Sequence, residues 1–294
     1  MNELQPKKVI IFFLLLPGVL IFVFSLILPL LMAVRFSFFQ WSGGPQMVFV
    51  GLRNYLRLLE DPVFWYSFKN NLIIVTLSIL GQVGLAFVLA SLLHSKVLWV
   101  KGFHRTVIFF PVVLSSVVIG FLWSMIYSRD YGILNWLLQS IHLRSWIRNW
   151  LDDPGIVIYS VTVPLIWQYI GLYLVIFLSA MQGISKEIYE VAEIDGATGV
   201  KKAFHITLPL LSGTFLTAIM LCIAGNMKVF DHIYVMTGGG PGRSSMVMAQ
   251  YAYNNSFGMF KFGYGSAISV GILVLSLTLV VISRKLFGGL GNES

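Results

Sequence analysis

Charge is what this chain has least of. Among 294 residues there are 12 acids and 20 bases, so 11% are charged, against about a quarter in ordinary soluble domains. A surface built from so few charges cannot face water all round, and 57% hydrophobic residues with a mean hydropathy of +0.83 exclude a soluble globular fold. A single cysteine, Cys222, rules out an internal disulfide and says nothing of redox compartment. Catalytic signatures are missing too. There is no HExxH, no GxSxG and no pair of acids inside an apolar run, so intramembrane hydrolysis lacks its nucleophile, base or metal ligands. No nucleotide loop is present either: "GATGVKK" lacks the spacing and the hydroxyl, and "GGGPGRSS" has Arg243 where a lysine is needed. The chain therefore reads as non-catalytic, with no catalytic residues, no metal site and no cofactor of its own.

What is present is length without charge. Cutting the chain at every Lys, Arg, Asp and Glu leaves six runs above the roughly eighteen residues that cross a bilayer: Val9 to Val34, Asn70 to Ser95, Thr106 to Ser128, Pro154 to Ser185, Ala203 to Met227, and Phe262 to Ser283. One charge at a span's centre costs about 2.5–3.5 kcal/mol, so six charge-free runs do not arise by accident. The expected fold is all-α and polytopic, a single transmembrane domain over residues 1–294. Its six spans lie at about 9–34, 70–95, 106–128, 156–184, 206–228 and 262–285. Lys7 and Lys8 ahead of the first run also fit a signal peptide, but the run is too long for one and no small-residue cleavage site follows.

With both termini in the cytoplasm, inside segments carry Lys7, Lys8, Lys96, Lys101, Arg105, Lys186, Lys201, Lys202, Arg284 and Lys285, and the longer outside segments carry the other ten bases. Density in the short segments favours this orientation. The net charge of +8 then reflects span flanking and attraction to anionic headgroups rather than nucleic-acid binding. In the first outer loop, Leu52, Tyr55, Leu58 and Leu59 share a helical stripe, which fits a short surface helix or an ordinary packed loop. Gly263, Ala267 and Gly271 offer a small-residue face for close packing. Pro17, Pro29, Pro111, Pro164 and Pro209 fall in or beside spans, where neighbouring helices can satisfy the carbonyls they free.

Proton-coupled carriers need ionisable groups at depth, and only His94 and His205, near run ends, lie within the six runs. Sodium coupling through carbonyls and hydroxyls stays open. Against this background one segment stands out: four of the twelve acids fall between Glu187 and Asp195, followed by Gly196 and Gly199. Placed on a helix, Ile184, Ile188, Val191 and Ala192 form one stripe, and Glu187, Glu190 and Glu193 the opposite one. Ser185 suits the start and Gly196 the left-handed stop. The acids repel one another by about 0.2–0.5 kcal/mol per pair, and either solvent with nearby Lys186, Lys201 and Lys202 or a basic cleft on a docked protein compensates.

At these residues the chain resembles the inner-membrane permease subunits of binding-protein-dependent ABC sugar importers, the group of maltose and glycerol-3-phosphate permeases. The shared pattern is Glu190-Val191-Ala192, with Val191 standing where the family has its first alanine and keeping that position apolar, then Asp195-Gly196-Ala197, then Ile206, Leu208 and Pro209. "FVGLRNY", "EDPVFW", "FDHIYVMTGGGPGRSS" and "FGYGSAIS" extend it over nearly the whole chain. The resemblance implies a type I importer permease in the inner membrane of a bacterium or archaeon, with a coupling loop over about 184–206. It implies as partners a second homologous permease, two cytoplasmic ATPase subunits that bind ATP and Mg, an extracytoplasmic solute-binding protein and a carbohydrate substrate. Glu190, Val191, Ala192, Asp195, Gly196 and Ala197 would meet the ATPase. The positions matching the family's sugar contacts are Trp167, Tyr169, Tyr173, Cys222 and Asn226, for each of which ordinary helix packing is the alternative. The competing functional readings are an ion-coupled carrier acting alone and a membrane scaffold.

Overall fold

The computed structural model describes residues 8–94 and 99–287. Lys7 and Lys96, counted above among the flanking charges, and Ser95, the end of the second expected span, lie outside the described residues. Within them the chain divides into two compact units, residues 1–61 with 252–271, and residues 62–251 with 272–294.

In the first unit, α1 runs from Lys8–Phe22 through a π-turn, Val23–Ile27, into Leu28–Ser37. The π-turn has a cause in the sequence. Pro29 has no N–H to give the carbonyl four residues back at Ser25, and its ring crowds that carbonyl. Widening the turn moves the strain, and the Leu28 N–H bonds to the Val23 carbonyl instead. The apolar side chains of α1 are exposed nearly all round, a surface that only lipid or another chain can cover. A hairpin follows, with β1 (Phe39–Trp41) antiparallel to β2 (Met47–Phe49) and Gln40 opposite Val48. Helix α2, Arg53–Glu60, occupies the expected stripe. Its Leu58 is buried, whereas Leu52 and Leu59 are exposed. Asn54 pins it by donating to the carbonyls of Ser37 (2.8 Å) and Phe39 (3.0 Å). The close approach foreseen at Gly263 is made to a strand rather than a helix, since a Cβ there would sit 1.9 Å from the Phe39 carbonyl oxygen.

The second unit begins with α3, Pro62–His94, which contains a π-turn at Ile79–Gly84. Next come α4 (Lys101–Val113) and α5 (Ser116–Ile126), then α6 (Ile133–Ser140) and the long α7 (Val157–Gln182). Helix α8 (Lys186–Ile194) precedes α9 (Gly199–Leu210) and α10 (Ser212–Asn226), and α11 (Asp231–Thr237) follows. Helices α12 (Met248–Tyr253) and α13 (Phe262–Phe287) close the described chain and belong to both units.

Among the described residues, α1, α3, α7 and α13 are long and apolar enough to cross a membrane. The third and fifth charge-free runs are each two helices: α4 meets α5 at 102° and α9 meets α10 at 80°, giving six spans if each bent pair is one. Proline again marks the strain. Pro111 sits one turn before the first bend, and Pro209 follows a π-turn, Ala203–Thr207, just as Pro29 does in α1. Helix α7 is the axis of the second core. Its Val157, Val161 and Leu165 pack with Ile74, Ile233, Met236 and Val247. Gly171 lets α4 cross directly over α7, because a Cβ there would lie 2.4 Å from the Ile108 carbonyl oxygen.

Candidate functional site

The acidic segment folds as a short helix with a defined stop. Ser185 takes the extended conformation that opens α8, but its hydroxyl donates to the Glu187 carboxylate (3.0 Å) rather than accepting from the backbone. At the far end Gly196 adopts φ +76°, a region costly for any residue with a Cβ. The Ala197 N–H then reaches back five residues to the Ala192 carbonyl at 2.8 Å, the bond that closes a Schellman turn. Ala192 and Ala197 are both buried under this turn, so only small side chains fit there. The Asp-Gly-Ala triplet is thus a structural stop, with a second left-handed glycine, Gly199 at φ +52°, directing the chain into α9.

What α8 shows outward is mixed. Glu187, Glu190, Glu193 and Asp195 are exposed, and so are the apolar Val191 (58%) and Ile194 (83%). Of the two means of compensation, a nearby lysine serves one acid: Lys202 pairs with Glu193 at 2.8 Å. An exposed pair of this kind contributes at most about 1 kcal/mol.

The five pathway candidates fall into two groups. Trp167 is 41% exposed on α7 and meets the Trp123 ring edge-on at 6.0 Å. Tyr169 is half-buried, its hydroxyl 3.4 Å from Ser116 Oγ beside the α4–α5 bend. Tyr173, Cys222 and Asn226 are buried together. Asn226 Nδ2 donates to the Cys222 carbonyl (2.9 Å) and, at 3.5 Å, to Gln82 Oε1, while Ser78 Oγ donates to Asn226 Oδ1 (3.2 Å).

Sequence reasoning missed the residues that organise this cluster. Gln82, in the π-turn of α3, donates to the Leu165 carbonyl of α7 at 3.2 Å and accepts from Cys222 Sγ of α10 at 3.6 Å. Asn71 donates to the carbonyls of Asn226 (3.0 Å) and Met227 (3.3 Å) and accepts from the Met248 N–H (2.9 Å). Gln168 donates to the Leu114 carbonyl freed by the α4–α5 bend (3.0 Å). A scan for amides inside charge-free runs would have found all three. Outside the spans, His232 of α11 is 2% exposed with, among the described residues, no partner for Nε2, and burial lowers its pKa to about 4. Among the described residues no three His, Cys, Asp or Glu side chains gather to hold a metal ion.

Residues 82–286 match the family model described as "Binding-protein-dependent transport system inner membrane component". The "Probable ABC transporter permease protein YurN" of Bacillus subtilis is 37% identical over 286 residues, 96% of this chain and 97% of that protein. The "Trehalose/maltose transport system permease protein MalF" of Thermococcus litoralis is 34% identical over 242 residues, 81% of this chain and 80% of its own length. A chain from the crystal structure of a bacterial ABC transporter that imports the acidic polysaccharide alginate superposes with a TM-score of 0.80 at 22% identity, covering 95% of this chain and 94% of that one. The fold is that of an ABC importer permease, and the chain belongs to the family of binding-protein-dependent transport system inner membrane components.

Proposed function

We propose that this chain, acting as one membrane domain over residues 1–294, forms half of the translocation pathway for a sugar or related carbohydrate and couples it to ATP hydrolysis on other subunits. A second homologous permease completes the pathway. Two cytoplasmic ATPase subunits bind ATP and Mg, and an extracytoplasmic binding protein delivers the solute. Both termini are cytoplasmic, in the inner membrane of a bacterium or archaeon. The trehalose/maltose assignment of the Thermococcus litoralis relative supports the substrate class.

The observation that carries the coupling role is the outward face of α8. Glu190, Val191 and Asp195 are exposed on a helix whose end is fixed by Ala192, Gly196 and Ala197, so a docked ATPase would grip a stiff element with both charge and apolar area. For the solute, Trp167 and Tyr169 supply aromatic faces, and Tyr173, Cys222 and Asn226 form the buried polar layer on α7 and α10. Aromatic faces with an amide suit the apolar faces and hydroxyl edges of a sugar ring. The test is Glu190→Lys in the assembled transporter. Membrane insertion stays normal, while stimulation of ATP hydrolysis by solute-loaded binding protein falls to background. Unchanged stimulation removes Glu190 from the coupling role.

A further inference from the structure

Helix α2 has three distinct sides. One is buried: the Asn54 amide holds the carbonyls of Ser37 and Phe39, Leu58 packs inward, and the Tyr55 hydroxyl shares a hydrogen bond with that of Ser37. A second carries charge, with Arg53 and Glu60 exposed. The third is leucine. Leu52, which opens the helix, Leu56 and Leu59 stand at steps of four and three and so line one stripe, and they are 62%, 61% and 63% exposed.

The buried side fixes the level at which α2 lies. Ser37 is the last residue of α1, and the far end of α2 meets the first turn of α13, where the Arg57 guanidinium lies 4.4 Å over the Tyr264 ring and the Tyr264 hydroxyl donates to Asp61. The helix therefore rests where two apolar spans end. Aromatic rings collect at the same level, Phe36 against Trp41 at 4.6 Å and Trp41 against Phe262 at 5.4 Å. Such rings favour the boundary between hydrocarbon and headgroups. Either the bilayer or another protein covers a leucine stripe placed there. Partner helices in membranes approach one another through small side chains, and this stripe offers none. Leucine on one side with charge on the next is the pattern of a helix lying in the interface. The span to which α2 is pinned is itself apolar and exposed nearly all round, so lipid that bathes α1 reaches the helix at its end.

We propose that α2 is an interfacial anchor, lying in the plane of the membrane with Leu52, Leu56 and Leu59 among the acyl chains and Arg53 and Glu60 among headgroups and water. Its leucine side docks on lipid and not on a protein partner. The proposal rests on the membrane placement of α1 and α13, and it is independent of which solute is carried and of the side of the membrane that α2 occupies.

Spin labelling of the assembled transporter in vesicles of phosphatidylglycerol and phosphatidylethanolamine tests it, with Leu52→Cys, Leu56→Cys or Arg53→Cys carrying the only nitroxide. Molecular oxygen concentrates in hydrocarbon and a nickel chelate in water, so the ratio of their collision rates with the label reports depth. That ratio should be several-fold higher at positions 52 and 56 than at 53. Equal access of the nickel chelate to all three positions overturns the proposal, because the stripe then faces water. Exclusion of both reagents from positions 52 and 56 overturns it as well, because another protein then covers them.

Discussion

His232 is a titratable side chain kept from water. Its ordinary pKa is near 6.5 and burial lowers it to about 4, so the folded protein holds it neutral while the unfolded chain takes up a proton below about pH 6.5. Stability attached to this group is therefore fully present above that pH and is lost as pH falls toward 4, with a total on the order of 3 kcal/mol. Melting temperature recorded by scanning fluorimetry between pH 7.5 and 4.5 should drop more steeply in wild type than in His232→Phe. Parallel curves would show that another group carries the acid sensitivity. Gly171 makes a steric case of the same scale. A Val side chain there meets the Ile108 carbonyl oxygen and the Phe109 Cα, so Gly171→Val should cost upwards of about 3 kcal/mol and lower the yield of folded transporter sharply. Neither effect was legible beforehand, because a sequence shows that a residue is His or Gly and not what backbone lies against it.

At the scale of elements, composition revealed most of what it could. Charge-free length marked every long helix, and Gly196 marked the end of α8 because a left-handed residue is needed there. Gly196→Val should strain that stop by about 1–2 kcal/mol, loosen α8 from Ala197 and reduce solute-stimulated ATP hydrolysis in the assembled transporter, while basal hydrolysis persists. If stimulation is unaffected, the fixed turn is not what transmits force. Hidden from the sequence were the bends at Leu114–Ser115 and Leu211, since a cut at charged residues reads solvation cost and is blind to direction. Pro111 and Pro209 were visible, yet proline inside a span is compatible with a gentle kink or a sharp corner. What decides is the partner for the freed carbonyl, and at Leu114 that partner is Gln168, an uncharged side chain more than fifty residues away.

For the molecule as a whole, the proposed assembly draws on the exposed Val191 and Ile194 of α8, while the apolar girth of α1 suits lipid or another chain. Affinity purification of the tagged full-length protein should recover a second permease and an ATPase, and transport by the lone chain in liposomes would argue instead for an ion-coupled carrier. Accessibility labelling of a cysteine placed at Lys186 in a Cys222→Ala background should occur from the cytoplasmic side; labelling from outside would invert the topology and detach α8 from any ATPase. The family was legible from its loop residues, but the buried amide cluster of Asn71, Gln82 and Asn226 was not, because it joins two helices, α3 and α10, that lie far apart in the chain. The corner between α9 and α10 carries a mechanical consequence. Under the proposed coupling role, two rods joined at 80° would act as a bell crank, a sideways tug on the arm nearest α8 emerging along the other arm turned through nearly a right angle.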